Sequence, residues 1–268
     1  MSAIDQLFEQ LRASGRRAFM PFVTAGDPDL EFTAELIRRL FDHGSSMCEV
    51  GIPYSDPIAD GPVIQASYSR ALDKHVKLAD ILAMLGQVSP EVAGPLVTMV
   101  SYAIIYRHGL ERYVAEAKAA GVAGLIVPDL PVEESGPLAA ICRREDLSLV
   151  QLITPTTPRD RALRIAEQTT GFIYYVSVAG ITGERRELPP EIAENVAWLR
   201  EQTELPICIG FGISQPEHVR ALAPVADGLI VGSAIVRRMA TAADERPRSE
   251  VLEEIGQFVA ELLKAIGD

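Results

Sequence analysis

The sequence predicts an α/β fold, a single (β/α)8 barrel of the TIM type that spans residues 1–268, and three observations predict it. The chain has 268 residues, which fits one barrel of about 250 residues. Short, continuous apolar runs alternate with helical patterns along the chain, as expected for parallel strands that are buried on both faces. No G-x-G-x-x-G turn follows a strand-like run, which disfavours an open, doubly wound sheet.

Each element rests on its own pattern. Residues 2–14 form an amphipathic helix that Ser2 can cap, and the apolar face of this helix needs a partner surface at one end of the barrel. Eight runs are typical of buried strands: Ala18–Thr24, Ser46–Val50, Pro95–Val100, Gly124–Val127, Ser148–Ile153, Phe172–Val176, Pro206–Gly210 and Gly228–Val231. Helical segments lie between them: Leu30–His43, Leu110–Ala120, Val132–Glu145, Pro158–Thr169, Pro190–Gln202 and Pro216–Ala223.

The widest connection lies between the second and third strands. It holds the loop GIPYSDPIADGP (51–62) and an extra helix around Leu78–Leu85. A last amphipathic helix covers about Ser249–Ile266. No linker, fixed-period repeat or low-complexity tract divides the chain, so we expect one domain.

Charge and cysteine content exclude several classes of protein. Lys and Arg number 25 and Asp and Glu 37, for a net charge of −12, which disfavours nucleic-acid and membrane partners. An anionic small substrate stays possible, because backbone amides can bind phosphate. Three cysteines without CxxC spacing predict reduced thiols rather than disulfides or zinc. The start of the chain lacks a signal-peptide pattern, so we expect a cytoplasmic protein.

Glu49 lies near the end of the second strand-like run, in the segment SMCEVG (46–51). Barrel enzymes place their sites at the carboxyl ends of the strands. This carboxyl should therefore face the barrel mouth, where burial raises its pKa into the range of a general acid. The alternative is a strand-end glutamate that pairs with an arginine or caps a helix.

The next loop carries two further acids, Asp56 and Asp60. Asp56 precedes proline and is typical of a turn, whereas Asp60 is either the start of the next helix or a second functional carboxylate. Together with Glu49 they resemble a Mg²⁺ site, but no additional histidine or acid cluster supports one, so no metal is expected. Asp129, after the fourth strand, is a candidate for orienting another group.

Three glycine clusters indicate phosphate binding. They are 180–183, 210–214 and 232–234, after the sixth, seventh and eighth strands. Glycine lets backbone amides approach an oxyanion, and barrels often bind phosphate with the loops after strands seven and eight. The alternative is that these glycines only form tight turns.

Other polar residues give weaker signals. Tyr174 and Tyr175 are adjacent on the sixth strand, so only one can face the barrel interior. The 4 histidines lie in helices or connections, which argues against histidine acid–base or metal chemistry. A Ser-His-Asp mechanism lacks its nucleophile-elbow sequence.

The sequence resembles the tryptophan synthase α-subunit family over nearly its whole length. The most specific motif is EVGIPYSDPIADGPVIQ (49–65). The supporting motifs are PFVTAGDP (21–28), VPDLPVEES (127–135), GITG (180–183), GFGIS (210–214) and GSAIV (232–236).

The resemblance implies a barrel that cleaves indole-3-glycerol phosphate to indole and glyceraldehyde 3-phosphate by a retro-aldol reaction without a cofactor. Glu49 would be the general acid and base, Asp60 would bind the indole N–H, and Tyr174 would lie near the glutamate. Phe22 would line the indole pocket, and Thr182 would lie on a loop that closes over the site and contacts Asp60. The implied phosphate ligands are Gly183, Gly212, Gly232 and Ser233.

The resemblance also implies a pyridoxal-phosphate-dependent β subunit as partner in an α2β2 heterotetramer. An apolar patch around residues 54–60 and 101–106 would be the contact face. Three positions depart from the family pattern. Cys48 replaces an aliphatic residue, Ile104 stands where the family usually carries Asn, and Val178 stands where some members carry Arg. The Ile104 change concerns subunit contact rather than the chemistry.

Three alternatives stay open at this level: a free-standing indole-3-glycerol-phosphate lyase, a non-catalytic regulatory subunit, and another phosphate-binding barrel such as a sugar-phosphate isomerase. The presence of both Glu49 and Asp60 argues against a regulatory subunit.

Overall fold

A computed structural model of the protein describes residues 1–57, 60–176, 190–210, 212–242 and 246–267. The strands in these ranges are β1 (Ala18–Thr24), β2 (Cys48–Gly51), β3 (Leu96–Met99), β4 (Val122–Ile126), β5 (Ser148–Val150), β6 (Leu152–Ile153), β7 (Ile173–Val176), β8 (Ile207–Gly210) and β9 (Gly228–Val231). They are short and almost wholly buried, as predicted for strands between a barrel interior and a layer of helices.

The strands form a ring. Their order is β5-β4-β3-β2-β1-β9-β8-β7-β6, and the pairing is parallel throughout the described residues. β5 and β6 are separated by Gln151, so they are the two halves of the strand predicted over Ser148–Ile153. The eight strand positions close through this interrupted strand, which confirms the (β/α)8 barrel.

Helices surround the ring. They are α1 (Ala3–Ala13), α2 (Leu30–Asp42), α3 (Pro62–Asp73), α4 (Leu78–Val88), α5 (Tyr102–His108), α6 (Leu110–Ala119), α7 (Gly136–Arg144), α8 (Arg159–Gln168), α9 (Pro190–Gln202), α10 (Pro216–Leu222), α11 (Ser233–Thr241) and α12 (Arg248–Gly267).

The sequence prediction misplaces several element boundaries and gives no bounds for α3 (Pro62–Asp73) or α11 (Ser233–Thr241). The helix predicted from Val132 begins at Gly136, after a 3-10 turn over Val132–Glu134, because Pro137 fits only the first turn of a helix. β4 starts at Val122 rather than Gly124. The seven-residue α5 was not predicted, because it is too short to display a helical period.

Helix α1 closes the amino-terminal end of the barrel. Ser2 and Asp5 form a capping box: the Ser2 Oγ accepts from the Asp5 N–H at 3.2 Å, and the Asp5 carboxylate accepts from the Ser2 N–H at 2.8 Å. The apolar face of α1 packs against inward-pointing side chains of the strands, among them Met20, Val97, Ile126, Val150, Phe172, Cys208 and Ile230. The predicted cap and the predicted covering role of this helix are both confirmed.

The structure also bears on the expectations about the cysteines and about membrane-spanning helices. Cys48, Cys142 and Cys208 are free and buried, as predicted. In the part of the chain that the structure describes, no helix has the length and apolar character to cross a membrane.

Candidate active site

A cavity of about 340 Å³ opens at the carboxyl ends of the strands. Its lining includes Glu49 and Asp60, the residues Gly212, Gly232 and Ser233, and several apolar side chains. These apolar side chains include Phe22, Ile64, Met99, Leu152 and Val176. The cavity therefore lies where the strand-end rule predicts a site.

Glu49 is carried by the short strand β2 and is only 3% exposed. Neither of its carboxyl oxygens has a hydrogen-bond partner among the described residues. Burial, together with the nearby charge of Asp60, raises the pKa of Glu49 from 4.5 to about 8. A carboxyl without a partner in such a place is normally costly, so the arrangement is typical of a functional acid and not of the structural alternative.

Asp60 follows β2 and precedes α3. Its backbone is held in a turn: its N–H donates to the Pro57 carbonyl at 3.1 Å, and its carbonyl accepts from the Gln65 side chain at 2.8 Å. Partial burial and then the charge of Asp129 raise the pKa of Asp60 from 3.8 to about 6. Near neutral pH these shifts favour a protonated Glu49 beside an ionised Asp60.

The two aromatic residues of the prediction both line the cavity. Phe22 lies over Gly51, where a Cβ would meet the ring Cζ at 2.5 Å. Tyr174 lies against Gly210, where a Cβ would meet its hydroxyl oxygen at 2.5 Å. Glycine at these two strand ends therefore leaves the space that the rings fill.

The adjacent tyrosines face opposite sides of β7, as predicted. Tyr174 packs with the side chains of the barrel interior. Tyr175 packs outward, where its hydroxyl accepts a hydrogen bond from Asn195 at 3.3 Å. Burial, followed by the charges of Glu49 and Asp60, raises the pKa of Tyr174 well above 10, so this hydroxyl keeps its proton beside the two acids.

The predicted phosphate ligands that the structure describes lie together. Gly212 adopts the left-handed region with φ of +79°, and Gly232 precedes α11 without a side-chain cap. The first amides of α11, starting at Ser233, therefore lack a side-chain capping acceptor and suit an anion. The predictions for Gly183, Thr182 and Val178 lie outside the described residues.

Two predicted accessory acids differ in role. Asp129 accepts hydrogen bonds from the Ser101 hydroxyl at 2.6 Å and the Tyr102 N–H at 2.7 Å. It thereby holds the start of α5, and its predicted role of orienting a functional group stays a prediction. Asp56 is exposed and accepts from the Ser55 hydroxyl at 2.7 Å, as a turn residue does. Within the described residues no group of three or more histidines, cysteines and acids could hold a metal.

Sequence reasoning missed two polar residues of the site. Arg237 lines the cavity from α11, and its only sequence signal is a spacing of one helical turn from Ser233. His218 is buried in α10, and its Nδ1 accepts the N–H of Ser214 at 3.3 Å. This bond holds the loop that contains Gly212. A search for histidines at strand ends does not find a residue in this position.

A smaller cavity of about 180 Å³ adjoins the first. The two share Asp60, Met99 and Pro128, and the smaller one reaches Tyr54 and Ser101. Ser101 directly precedes α5, and on that helix Tyr106 is 71% exposed with its ring 6.1 Å from that of Tyr102.

Comparison with known proteins gives one consistent result. A family model described as tryptophan synthase alpha chain matches residues 8–266. The tryptophan synthase alpha chain of Rhodopirellula baltica is 56% identical over 276 residues, which cover 99% of each chain. The chain belongs to the tryptophan synthase alpha chain family.

Solved structures agree with this assignment. The tryptophan synthase subunit alpha of Legionella pneumophila is 32% identical with a TM-score of 0.91, over 100% of this chain and 99% of that one. A chain of Mycobacterium tuberculosis tryptophan synthase is 27% identical with a TM-score of 0.87, over 99% and 100%. The alpha reaction cleaves indole-3-glycerol phosphate to indole and glyceraldehyde 3-phosphate, so the chain is a carbon–carbon lyase of tryptophan biosynthesis.

Proposed function

We propose that Glu49 is the general acid and base of this cleavage and that Asp60 stabilises the cationic intermediate. The observation that carries the assignment is the buried Glu49 carboxyl, whose oxygens have no hydrogen-bond partner in the described residues and whose raised pKa holds a proton at neutral pH. Such an acid is available to a substrate atom in the cavity because no group among the described residues competes for it.

In the first step the Glu49 carboxyl donates its proton to C3 of the indole ring. The ring then carries a positive charge shared with its N–H, and Glu49 is left as a carboxylate. The ionised Asp60 accepts a hydrogen bond from that N–H and stabilises the charge. The raised pKa of Tyr174 keeps its hydroxyl neutral and able to donate a hydrogen bond beside the acids.

In the second step the Glu49 carboxylate removes the proton from the hydroxyl on the glycerol carbon that is bonded to C3. The bond between C3 and the hydroxyl-bearing carbon breaks, and its electron pair returns to the ring to restore neutral indole. The glycerol portion leaves as the aldehyde glyceraldehyde 3-phosphate, and Glu49 is protonated again. One carboxyl can serve both steps because its pKa lies near working pH.

The phosphate lies, in this proposal, against the amides of Gly212, Gly232 and Ser233 at the start of α11. The apolar walls and Phe22 then surround the indole ring. The family resemblance adds Gly183 as a further phosphate ligand and Thr182 as a contact of the closing loop. Gly212→Val should raise KM at least 10-fold, because the left-handed backbone and the amide contact both require glycine.

We further propose that the chain acts as one domain, in the cytoplasm, with a pyridoxal-phosphate-dependent β subunit in an α2β2 complex. The exposed Tyr106 on α5, and the adjoining cavity whose lining includes Ser101 directly before α5, support a partner on this side. Indole leaving the site would pass along the smaller cavity to that partner.

The decisive experiment measures indole release from indole-3-glycerol phosphate by the purified chain, with and without a tryptophan synthase β subunit. Slow release that the β subunit accelerates supports the subunit assignment. Fast release without acceleration would instead make the chain a free-standing lyase. No release in either condition would refute the catalytic roles of Glu49 and Asp60.

The docking face has its own test. Tyr106→Asp should weaken stimulation by the β subunit about 10-fold and leave unstimulated release within about twofold, because a charge is desolvated only in the complex. The matched control is Leu163→Asp, since Leu163 is also exposed but lies on α8. Equal losses in the two variants would contradict this face.

A further inference from the structure

Arg237 is the one positively charged side chain among the described residues that line the main cavity. The same lining holds Glu49 and the ionised Asp60, and the whole chain carries a net charge of −12. A phosphate dianion that enters this cavity therefore meets negative charge. The amino terminus of a helix offers only about half an elementary charge in return.

The position of Arg237 on α11 directs it to the phosphate end of the site. α11 begins at Ser233, and Arg237 follows one turn later. Residues four apart lie on the same helix face, and side chains lean toward the helix amino terminus. Arg237 and Ser233 accordingly share a face of α11, and both line the cavity together with Gly232.

The neighbouring arginine shows what a structural role looks like on this helix. Arg238 donates to the Ala234 carbonyl at 2.8 Å, approaches the Glu254 carboxylate at 3.5 Å and lies 3.7 Å above the ring centre of Phe258. Arg237 is exposed and makes no hydrogen bond or ion pair with the described part of the chain. Its guanidinium donors are available to a ligand.

We propose that Arg237 is a substrate-binding residue whose guanidinium pairs with the phosphate of the substrate, on the side that the backbone amides leave open. This inference rests on the proposed function, since it adds a charged contact to the same phosphate site. Arginine suits the task because its planar fork presents paired donors to phosphate oxygens. A glycine-lined site thereby gains a full positive charge that its amides lack.

The test measures binding of glycerol 3-phosphate, a phosphate ligand without the ring, by calorimetry at low and high salt. Arg237→Gln should raise its Kd about 10-fold or more and reduce the salt dependence of binding. Arg237→Lys should recover part of the affinity. In turnover, Arg237→Gln should raise KM by a similar factor with kcat within about threefold, because the phosphate is distant from the reacting carbon.

Arg16→Gln is the matched control for loss of one positive charge, since Arg16 is exposed at the opposite end of the barrel. An unchanged Kd for glycerol 3-phosphate in Arg237→Gln would overturn the inference and leave the proposed function standing, provided the unaltered chain still releases indole. Equal weakening in Arg16→Gln would overturn it too, because the effect would then be one of net charge. An unaltered chain that neither binds glycerol 3-phosphate nor releases indole would refute both proposals.

Discussion

The two ends of this barrel differ in whether their buried polar groups have hydrogen-bond partners. At the amino-terminal end, α1 covers the barrel interior with apolar side chains. The hydroxyls of Ser2 and Ser148 form a hydrogen bond of 2.9 Å there. At the carboxyl-terminal end a cavity stays open, and the Glu49 carboxyl lies buried without a partner in the described residues.

The difference separates stability from function. Satisfied polar groups and close packing at the α1 end stabilise the fold. The raised pKa of Glu49 means that the folded state disfavours its charge, which lowers stability above the pKa of the unfolded chain. Variants at the two ends should therefore change different quantities.

Glu49→Gln should have the largest effect. The fold keeps its shape, but proton transfer is lost, so kcat should fall about 10²–10⁴-fold in an assay of indole release. The exposed Glu134→Gln serves as the control for charge. Near-normal turnover in Glu49→Gln would remove this residue from the mechanism.

The same variant should stabilise the protein at high pH. With a folded pKa of about 8 against 4.5, Glu49 costs nothing near pH 4 and an increasing amount as pH rises to about 8. The melting temperature of Glu49→Gln should consequently lie about 5 °C or more above that of the parent at pH 9. Near pH 4 the two melting temperatures should differ by less than about 2 °C. Equal shifts at both pH values would contradict this account.

Phe8→Ala tests the amino-terminal end of the barrel, where we expect an effect on stability and not on activity. Phe8 is 3% exposed, and its ring centre lies 5.9 Å from that of Phe172. Its truncation should lower the free energy of unfolding by about 3–5 kcal/mol in denaturant titrations. Well below the melting temperature, kcat and KM should stay near those of the parent. A large rise in KM would mean that the two ends are coupled.

The pH dependence should sharpen the assignment of the two acids. kcat/KM should rise as Asp60 ionises near pH 6 and fall as Glu49 loses its proton near pH 8. Asp60→Asn should remove the acidic limb and move the basic limb to lower pH, because the Asp60 charge helps to raise the pKa of Glu49. A basic limb that stays in place would show that the two groups do not interact.

Ser2→Ala should have the smallest effect. It removes the capping acceptor for the Asp5 N–H and the contact with Ser148, so unfolding should become easier by about 1 kcal/mol with no change in kcat. Ser14→Ala, at the other end of α1, removes only hydroxyl bonds to carbonyls of the same helix and should cost less than about 0.5 kcal/mol. Equal costs would argue against a special role for the cap.

Much of the architecture was predictable because local patterns carry it. The buried strands correspond to continuous apolar runs in the sequence. The capped helix α1 shows helical spacing of its apolar residues around Phe8. The errors fall where the local signal is short or mixed, as in α5 (Tyr102–His108) and in the 3-10 turn before Gly136. There tertiary packing, rather than periodicity, sets the boundary.

The sequence by itself determined the order of strands and helices, the family, and the place of Glu49 at a strand end, since backbone period and motif spacing are local properties. Only the tertiary structure decided which groups act on one another. The pKa of Asp60 depends on its burial and on Asp129, and the reach of Arg237 into the cavity depends on the closure of the ring. Electrostatic interaction and desolvation follow distance through space, which the linear sequence does not contain.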